Sequence, residues 1–523
     1  MKRALLCCAL FSVVVGACSS ASATPGNYNP PPAQPITAPT AAPTTAPQWH
    51  GATPYPWQTP GPAETQGQYP YPPVTFPSLG TNPYVDTTSD SLSTFGLDVD
   101  TASYAVARGY VAQGLHPDPS SVRPEEWVNY FDQGYASPET GAFAIHADGG
   151  PTPFLSPSEI LVRIGVKAFS VSSTRRPAAA LTFVIDVSGS METGGRLELV
   201  KQSLALLVAQ LKSSDSVAIV AFSTEARVVL AATAGDRRDL ILGALATLAP
   251  ENSTNAEAGL KLGYEMERRQ FIEGGINRVV MATDGVANVG SEDAATILAN
   301  VGGGSASHIQ LVAVGVGMGN YNDALLEALA DKGAGFYAYV DTSDEARRVF
   351  VDRLIETIDT VALDAKAQVE FNVDTVAGWR QIGYEDRQVA DSQFRSPNAT
   401  GGAISAGHEV TALYAVVLRH SETNDPRLAT VTLRWTDPNS SRAAETSQDI
   451  DATDIATTFG ATDPHFKLDS LVAATAEVLR NSPWIPGYRI RDLQGAADEM
   501  RGILPQTADV ADFLELLDQI RGW

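Results

Sequence analysis

At 523 residues the chain is long enough for two or three domains, and an apolar content of 44% supplies sizeable cores. A formal net charge of −24, with no basic cluster to neutralise phosphates, argues against nucleic acid as a partner. Cys7, Cys8 and Cys18 are the three cysteines of the whole chain, so no disulfide is expected beyond that first stretch.

Lys2 and Arg3 precede an apolar run over 4–15, too short to span a bilayer; residues 1–17 read as a signal peptide. Val15-Gly16-Ala17-Cys18-Ser19 then resembles the bacterial lipobox, in which the cysteine is acylated and becomes the first mature residue. The resemblance implies an exported protein held in the cell envelope by a lipid on Cys18, in the periplasm or at the cell surface. The alternative is cleavage after Ala21-Ser22-Ala23, which releases a soluble protein. Residues 18–83 read as a linker. Sixteen prolines lie between Pro25 and Pro77, which favours an extended spacer of ~3.1 Å per residue. Tyr28, Trp49, Tyr55, Trp57, Tyr69 and Tyr71 interleave with them and offer a docking motif as the second reading.

The N-terminal region, 84–177, predicts a strand over 93–99, helices over 102–113 and from 121, and strands over 143–147 and 160–168. Asp100 or Thr101 is expected to cap the first helix, and Pro124 suits the first turn of the second. Asp98 and Asp100 read as a strand end and a cap rather than metal ligands. His116 and His146 have no partners at ligand spacing.

The segment 178–358 opens on Leu181-Thr-Phe-Val-Ile185, a buried strand, followed by Asp186, Ser188 and Ser190. An extended chain projects alternate side chains to one side, so these three oxygens converge. One carboxylate and two hydroxyls are hard ligands that suit Mg²⁺ or Mn²⁺ and offer nothing soft for zinc or copper. Helices over 196–211, 237–248 and 256–271 alternate with strands over 216–222, 226–231, 278–283, 309–315 and 335–340. Such alternation predicts a doubly wound, mainly parallel α/β sheet with helices on both faces. Ligands of such sheets bind at the carboxyl ends of the strands, where Asp186 and Asp284 fall. Thr254 lies in a polar loop before a helix.

Asp186-x-Ser188-x-Ser190 resembles the signature of the von Willebrand factor type A domain, which is Rossmann-like and carries a metal-ion-dependent adhesion site. "STNAEAGL" and "MATDG" resemble the second and third loops of that site. The resemblance implies hydroxyl ligation by Ser188, Ser190 and Thr254. Asp186 and Asp284 would bind directly or through water, and one position would stay open for a partner's carboxylate. The cation expected is Mg²⁺, with Mn²⁺ or Ca²⁺ as alternatives. Pro250-Glu251-Asn252 departs from the glycine-rich approach of relatives and puts a side chain near the ligand face. Gly315-Val-Gly317-Met-Gly319 follows a late strand and fits the family pattern, so no nucleotide cofactor is expected.

After residue 358 the alternation stops. Residues 359–523 predict strands over 365–371, 409–418 and 429–435, then helices over 466–479, 491–500 and 508–522. His408 reads as a turn residue, and Glu385 and Asp386 as solvated. "LSTFGLDVDTASYAVARGYVAQG", "RPEEWVNYFD", "GYEDR" and "GHEVTALY" resemble the two regions that flank the type A domain in one family of bacterial exported proteins, many of them lipoproteins. The half-sets of strands on either side suggest one β-rich α+β domain into which the type A domain is inserted, with three domains in a row as the alternative.

The expected function is a membrane-anchored binding protein, not an enzyme, that recognises an acidic group on an unknown protein through its metal. A metal-assisted hydrolase and a structural envelope protein with an unused site are the rivals.

Overall fold

The computed structural model describes residues 76, 78–97, 100–170, 176–251, 253–285, 294–303, 308–317, 323–353, 360–396, 401–419, 425–438 and 440–523. The leader, Cys18, nearly all of the linker and Asp98 lie outside them.

The N-terminal flank contributes β1 (Val85–Asp86), β2 (Leu92–Gly96), α1 (Ala102–Ala112), α2 (Pro124–Val128), β3 (Phe143–Gly150) and β4 (Glu159–Ala168). Pro124 occupies the first turn of α2, where its missing N–H costs nothing. The expected cap of α1 is corrected. Thr101 stands at the N-cap but makes no side-chain bond there. Glu126 of α2 instead accepts from the Ser103 N–H at 2.8 Å, while Asp100 accepts from the backbone N–H of Tyr337 at 3.0 Å.

The middle of the chain forms β5 (Ala179–Asp186), α3 (Arg196–Val208), β6 (Ser216–Phe222), β7 (Ala226–Ala234), α4 (Arg238–Ala246), α5 (Ala256–Gln270), β8 (Ile276–Thr283), α6 (Ala294–Val301), β9 (Gln310–Val316), α7 (Asp323–Lys332), β10 (Tyr337–Val340) and α8 (Ser343–Arg347). The strands order as β10-β9-β8-β5-β6-β7. All pair in parallel except β7, which returns antiparallel to β6 at the edge. β5, at the centre, is buried along its whole length. One apolar cluster packs Phe183, Ile185 and Ile219 with residues of α3 such as Leu204; the other packs Val184, Val220 and Val279 with residues of α5 such as Leu260. This is the doubly wound sheet that strand–helix alternation predicts.

The C-terminal flank forms β11 (Thr360–Phe371), β12 (Val376–Ile382), β13 (Gly402–Ser405), β14 (Glu409–Leu418), β15 (Arg427–Thr436), β16 (Ala443–Asp451), α9 (Pro464–Leu479), α10 (Ile490–Met500) and α11 (Ala508–Gln519). Its strands pair with those of the N-terminal flank. An antiparallel sheet runs β1-β12-β14-β4-β3, with Glu409 opposite Lys167 and Val417 opposite Glu159. A second sheet runs β13-β11-β15-β16, and β2 also pairs with β11. Phe95, Ile164, Val369, Phe371, Trp379 and Val431 fill the space between the two sheets. The opposite face of the first sheet, through Leu161, Ile382 and Leu413, is covered by helices of both flanks.

The type A unit therefore lies, in sequence, between two halves of one β-rich, helix-covered body. α1 bridges them: Ala102, Ala105, Val106 and Tyr110 pack on Ala313, Leu326, Tyr337 and Tyr339. Arg387 reinforces the seam, pairing with Glu327 at 2.9 Å and with Asp331. Glu385, expected to be solvated, is instead paired with Arg480 at 3.0 Å, its side chain 7% exposed. His408 does sit in the turn before β14, after Gly407 at φ +79°. No helix among the described residues is long and apolar enough to cross a membrane.

Candidate metal centre

β5 ends at Asp186 and β8 at Thr283, two neighbouring parallel strands whose carboxyl ends bring Asp186 and Asp284 to the same edge. After Asp186 the chain turns tightly through Gly189–Gly195, with Gly194 and Gly195 at φ +62° and +73°, a region glycine enters without a Cβ clash. Ser188 stands at the start of that turn and Ser190 within it. Thr254, in the second loop, follows Ser253, which is held at φ +63°. Left-handed backbone at a non-glycine residue is strained and concentrates at functional loops.

The oxygens of the first and third loops are linked. The Ser188 N–H donates to Asp186 Oδ1 at 2.8 Å and the Thr283 hydroxyl donates to Oδ2 at 2.6 Å. Ser188 and Ser190 hydroxyls stand 3.0 Å apart, and Ser190 Oγ donates to Asp284 Oδ1 at 2.8 Å. A hydroxyl has one proton. With that of Ser190 given to Asp284, the Ser190 oxygen is left as an acceptor, and a lone pair on each hydroxyl can turn toward a cation. Thr254 is 5% exposed, and it is not the helix cap. Asn255 caps α5, accepting from the Ala258 N–H at 3.1 Å, which leaves the Thr254 hydroxyl without a capping role. Burial pushes the Asp186 carboxyl up to about 6, against the hydrogen bonds from Thr283 and Ser188. A wholly buried carboxylate that costs this much to ionise is a group whose charge a bound cation would offset. Hard oxygens, two carboxylates and a set of hydroxyls match a small divalent cation.

Of the departure noted at 250–252, Asn252 lies outside the described residues, and Glu251 is accounted for. Its side chain turns to Ser223 at 2.7 Å and to Arg227 at 2.9 Å. Its backbone N–H donates to the Val187 carbonyl, and its own carbonyl lies 3.2 Å from where a Cβ on Gly189 would stand. The residue thus braces the first loop against the second.

Sequence reasoning missed Thr283 and Arg196. Thr283 hides in the strand, where a threonine signals nothing. Arg196 donates to Asp284 Oδ2 at 2.5 Å. A signal existed for it, since it is the first residue of α3, an end where a cation is disfavoured unless a carboxylate answers it. His116 stacks on Trp523 and His146 on Tyr135, and neither joins a metal-binding group of His, Cys, Asp or Glu among the described residues.

Comparison with known proteins places the chain in a family. An Escherichia coli K12 protein described as "Uncharacterized protein YfbK" is 35% identical over 466 residues, spanning 84% of this chain and 80% of the relative. The chain belongs to the YfbK family. A model described as the YfbK C-terminal region matches 356–522, the von Willebrand factor type A domain matches 180–352, and a further von Willebrand factor model matches 73–163. The human inter-alpha-trypsin inhibitor heavy chain H3 is 29% identical over 181 residues, 33% of this YfbK-family chain and 19% of that protein. Among solved structures, a von Willebrand factor type A protein from Catenulispora acidiphila aligns over 74% of this chain and 91% of its own, at 15% identity and a TM-score of 0.44. A type A domain points to a role in protein interaction or adhesion.

Proposed function

We propose that this YfbK-family protein is a lipid-anchored binding protein of the cell envelope that recognises an acidic group on a protein partner through a divalent cation, Mg²⁺ first. Ser188, Ser190 and Thr254 would supply hydroxyl oxygens, and Asp186 and Asp284 carboxylates. A bound cation supplies a positive centre with room for one more oxygen, and a carboxylate from a partner is the hard anion that suits it. The observation that carries the reading is the hydrogen-bonded run Ser188–Ser190–Asp284 beside the buried Asp186, at the carboxyl ends of adjacent central strands. Thr283 and the Ser188 N–H orient Asp186 for that task, and Glu251 holds the loops together.

Two experiments test the two halves of this reading. Isothermal titration should detect Mg²⁺ or Mn²⁺ binding that Asp186→Ala abolishes while circular dichroism stays native; unchanged binding in that variant refutes the site. For the anchor, acyl label should enter the wild type and be lost in Cys18→Ala. A mature N-terminus at Thr24 would instead mean a released protein.

A further inference from the structure

Arg196 is built into the proposed metal centre rather than lying across it. Its guanidinium donates to Asp284 Oδ2 at 2.5 Å and reaches the Ser190 carbonyl at 3.4 Å. The two charged side chains are 13% and 3% exposed. Gly317, after β9, has φ +75°, and a Cβ placed there would stand 2.0 Å from Arg196 Nε. The bare glycine is therefore what lets the arginine stem lie where it does. Asp284 is shared: one oxygen takes the Ser190 hydroxyl and the other takes the arginine.

We propose that Arg196 is a resident counter-ion of the metal centre, holding Asp284 when no divalent cation is bound and competing with that cation for it. The inference rests on the metal-site reading above. A divalent ion among Ser188, Ser190 and Asp284 would sit close to the guanidinium, and repulsion between like charges in a partly buried site is weakly screened. Binding must then displace the arginine from Asp284 or bear its charge. Arg196 thereby sets the concentration at which the cation enters, and spares Asp284 from being a buried, unneutralised charge beforehand.

The test is titration of Mn²⁺ into the full chain, followed by calorimetry, with thermal unfolding measured alongside. Arg196→Gln should bind Mn²⁺ at least about tenfold more tightly, as expected for removal of a close, poorly screened positive charge. Its metal-free melting temperature should fall and saturating Mn²⁺ should restore it, while Arg196→Lys should stay near the wild type. Gly317→Ala, which evicts the arginine without deleting it, should also tighten binding, and it serves if Arg196→Gln fails to fold. If the wild type binds, Asp186→Ala does not, and both Arg196→Gln and Gly317→Ala bind no more tightly than the wild type, this inference falls and the metal centre stands. If no form binds Mn²⁺, both fall together.

Discussion

Thr283 shows how a strand residue supports a site it does not belong to. Its hydroxyl is the partner of a carboxylate with no access to water, so Thr283→Val leaves Asp186 Oδ2 without that donor. A loss of about 1–3 kcal/mol in urea unfolding is expected, together with weaker Mn²⁺ binding. Deeper in the same unit Glu267 is wholly buried, and burial pushes its carboxyl up to about 7, against hydrogen bonds from Thr182 and Gln270. The folded state then holds this proton more tightly than the unfolded chain. Stability must fall as pH rises from about 4.5 to 7. Glu267→Gln keeps the neutral shape and should flatten that part of the stability profile. Glu477 behaves in the opposite sense. Burial raises it, but Arg480 and Arg380 outweigh burial and hold it at about 2. Its contribution is present above about pH 4.5 and lost as pH falls through 2. Glu477→Ala takes the carboxylate from buried Arg380 and leaves Arg480 with Glu385, and should cost about 3–5 kcal/mol. The meeting of Asp186, Ser188, Ser190 and Asp284 was legible because each loop motif is local and the strand-end rule brings the first and third loops together. Thr283 was not, since its role depends on which neighbour it faces, and the place of Arg196 at the start of α3 says that a carboxylate must answer it but not which.

At the scale of elements, α5 lies close to the sheet because it turns glycines toward it. A Cβ on Gly263 would stand 2.3 Å from Val184 Cγ2, and one on Gly259 would stand 2.7 Å from the Phe222 ring. Val184 is in the central strand with no exposed surface, so it has little room to yield. Alanine gains about 1 kcal/mol of helix propensity over glycine, and overpacking costs about 1–3 kcal/mol. Gly263→Ala should therefore come out neutral to destabilised by about 2 kcal/mol in chemical denaturation, whereas an exposed-helix glycine would gain. The helices and central strands of this unit were readable from their apolar periods. β12, β13 and β16 were not. β16, Ala443–Asp451, is a largely exposed edge strand of small and acidic residues without an apolar stripe. β12 carries the buried Arg380 and Gln381; Arg380 is met by Glu477 from α9, far along the chain, and Gln381 by Gln388, seven residues on. A sequence window sees polar residues there and no reason to bury them.

The whole molecule turns on pairing between distant segments. β4 lies beside β14 and β2 beside β11, so neither flank closes its own sheets. Residues 78–177 and 359–523, expressed apart, should each be poorly folded and recover cooperative unfolding when mixed; two independently cooperative halves would contradict this. Strand count and short flanks hinted at shared sheets, but register is set by contacts hundreds of residues apart, which no local pattern carries. Such a body holds the type A unit by both of its ends, with α1 and Arg387 bracing the seam. The edge of the central sheet proposed to hold the metal is then the face on which the functional account depends. The measurement that tests it most directly is anomalous diffraction from crystals equilibrated with Mn²⁺. A single strong peak is predicted at bonding distance, about 2.1 Å, from oxygens of the set Asp186, Ser188, Ser190, Thr254 and Asp284. An empty centre at saturating Mn²⁺, or a peak held by other residues, would contradict the account.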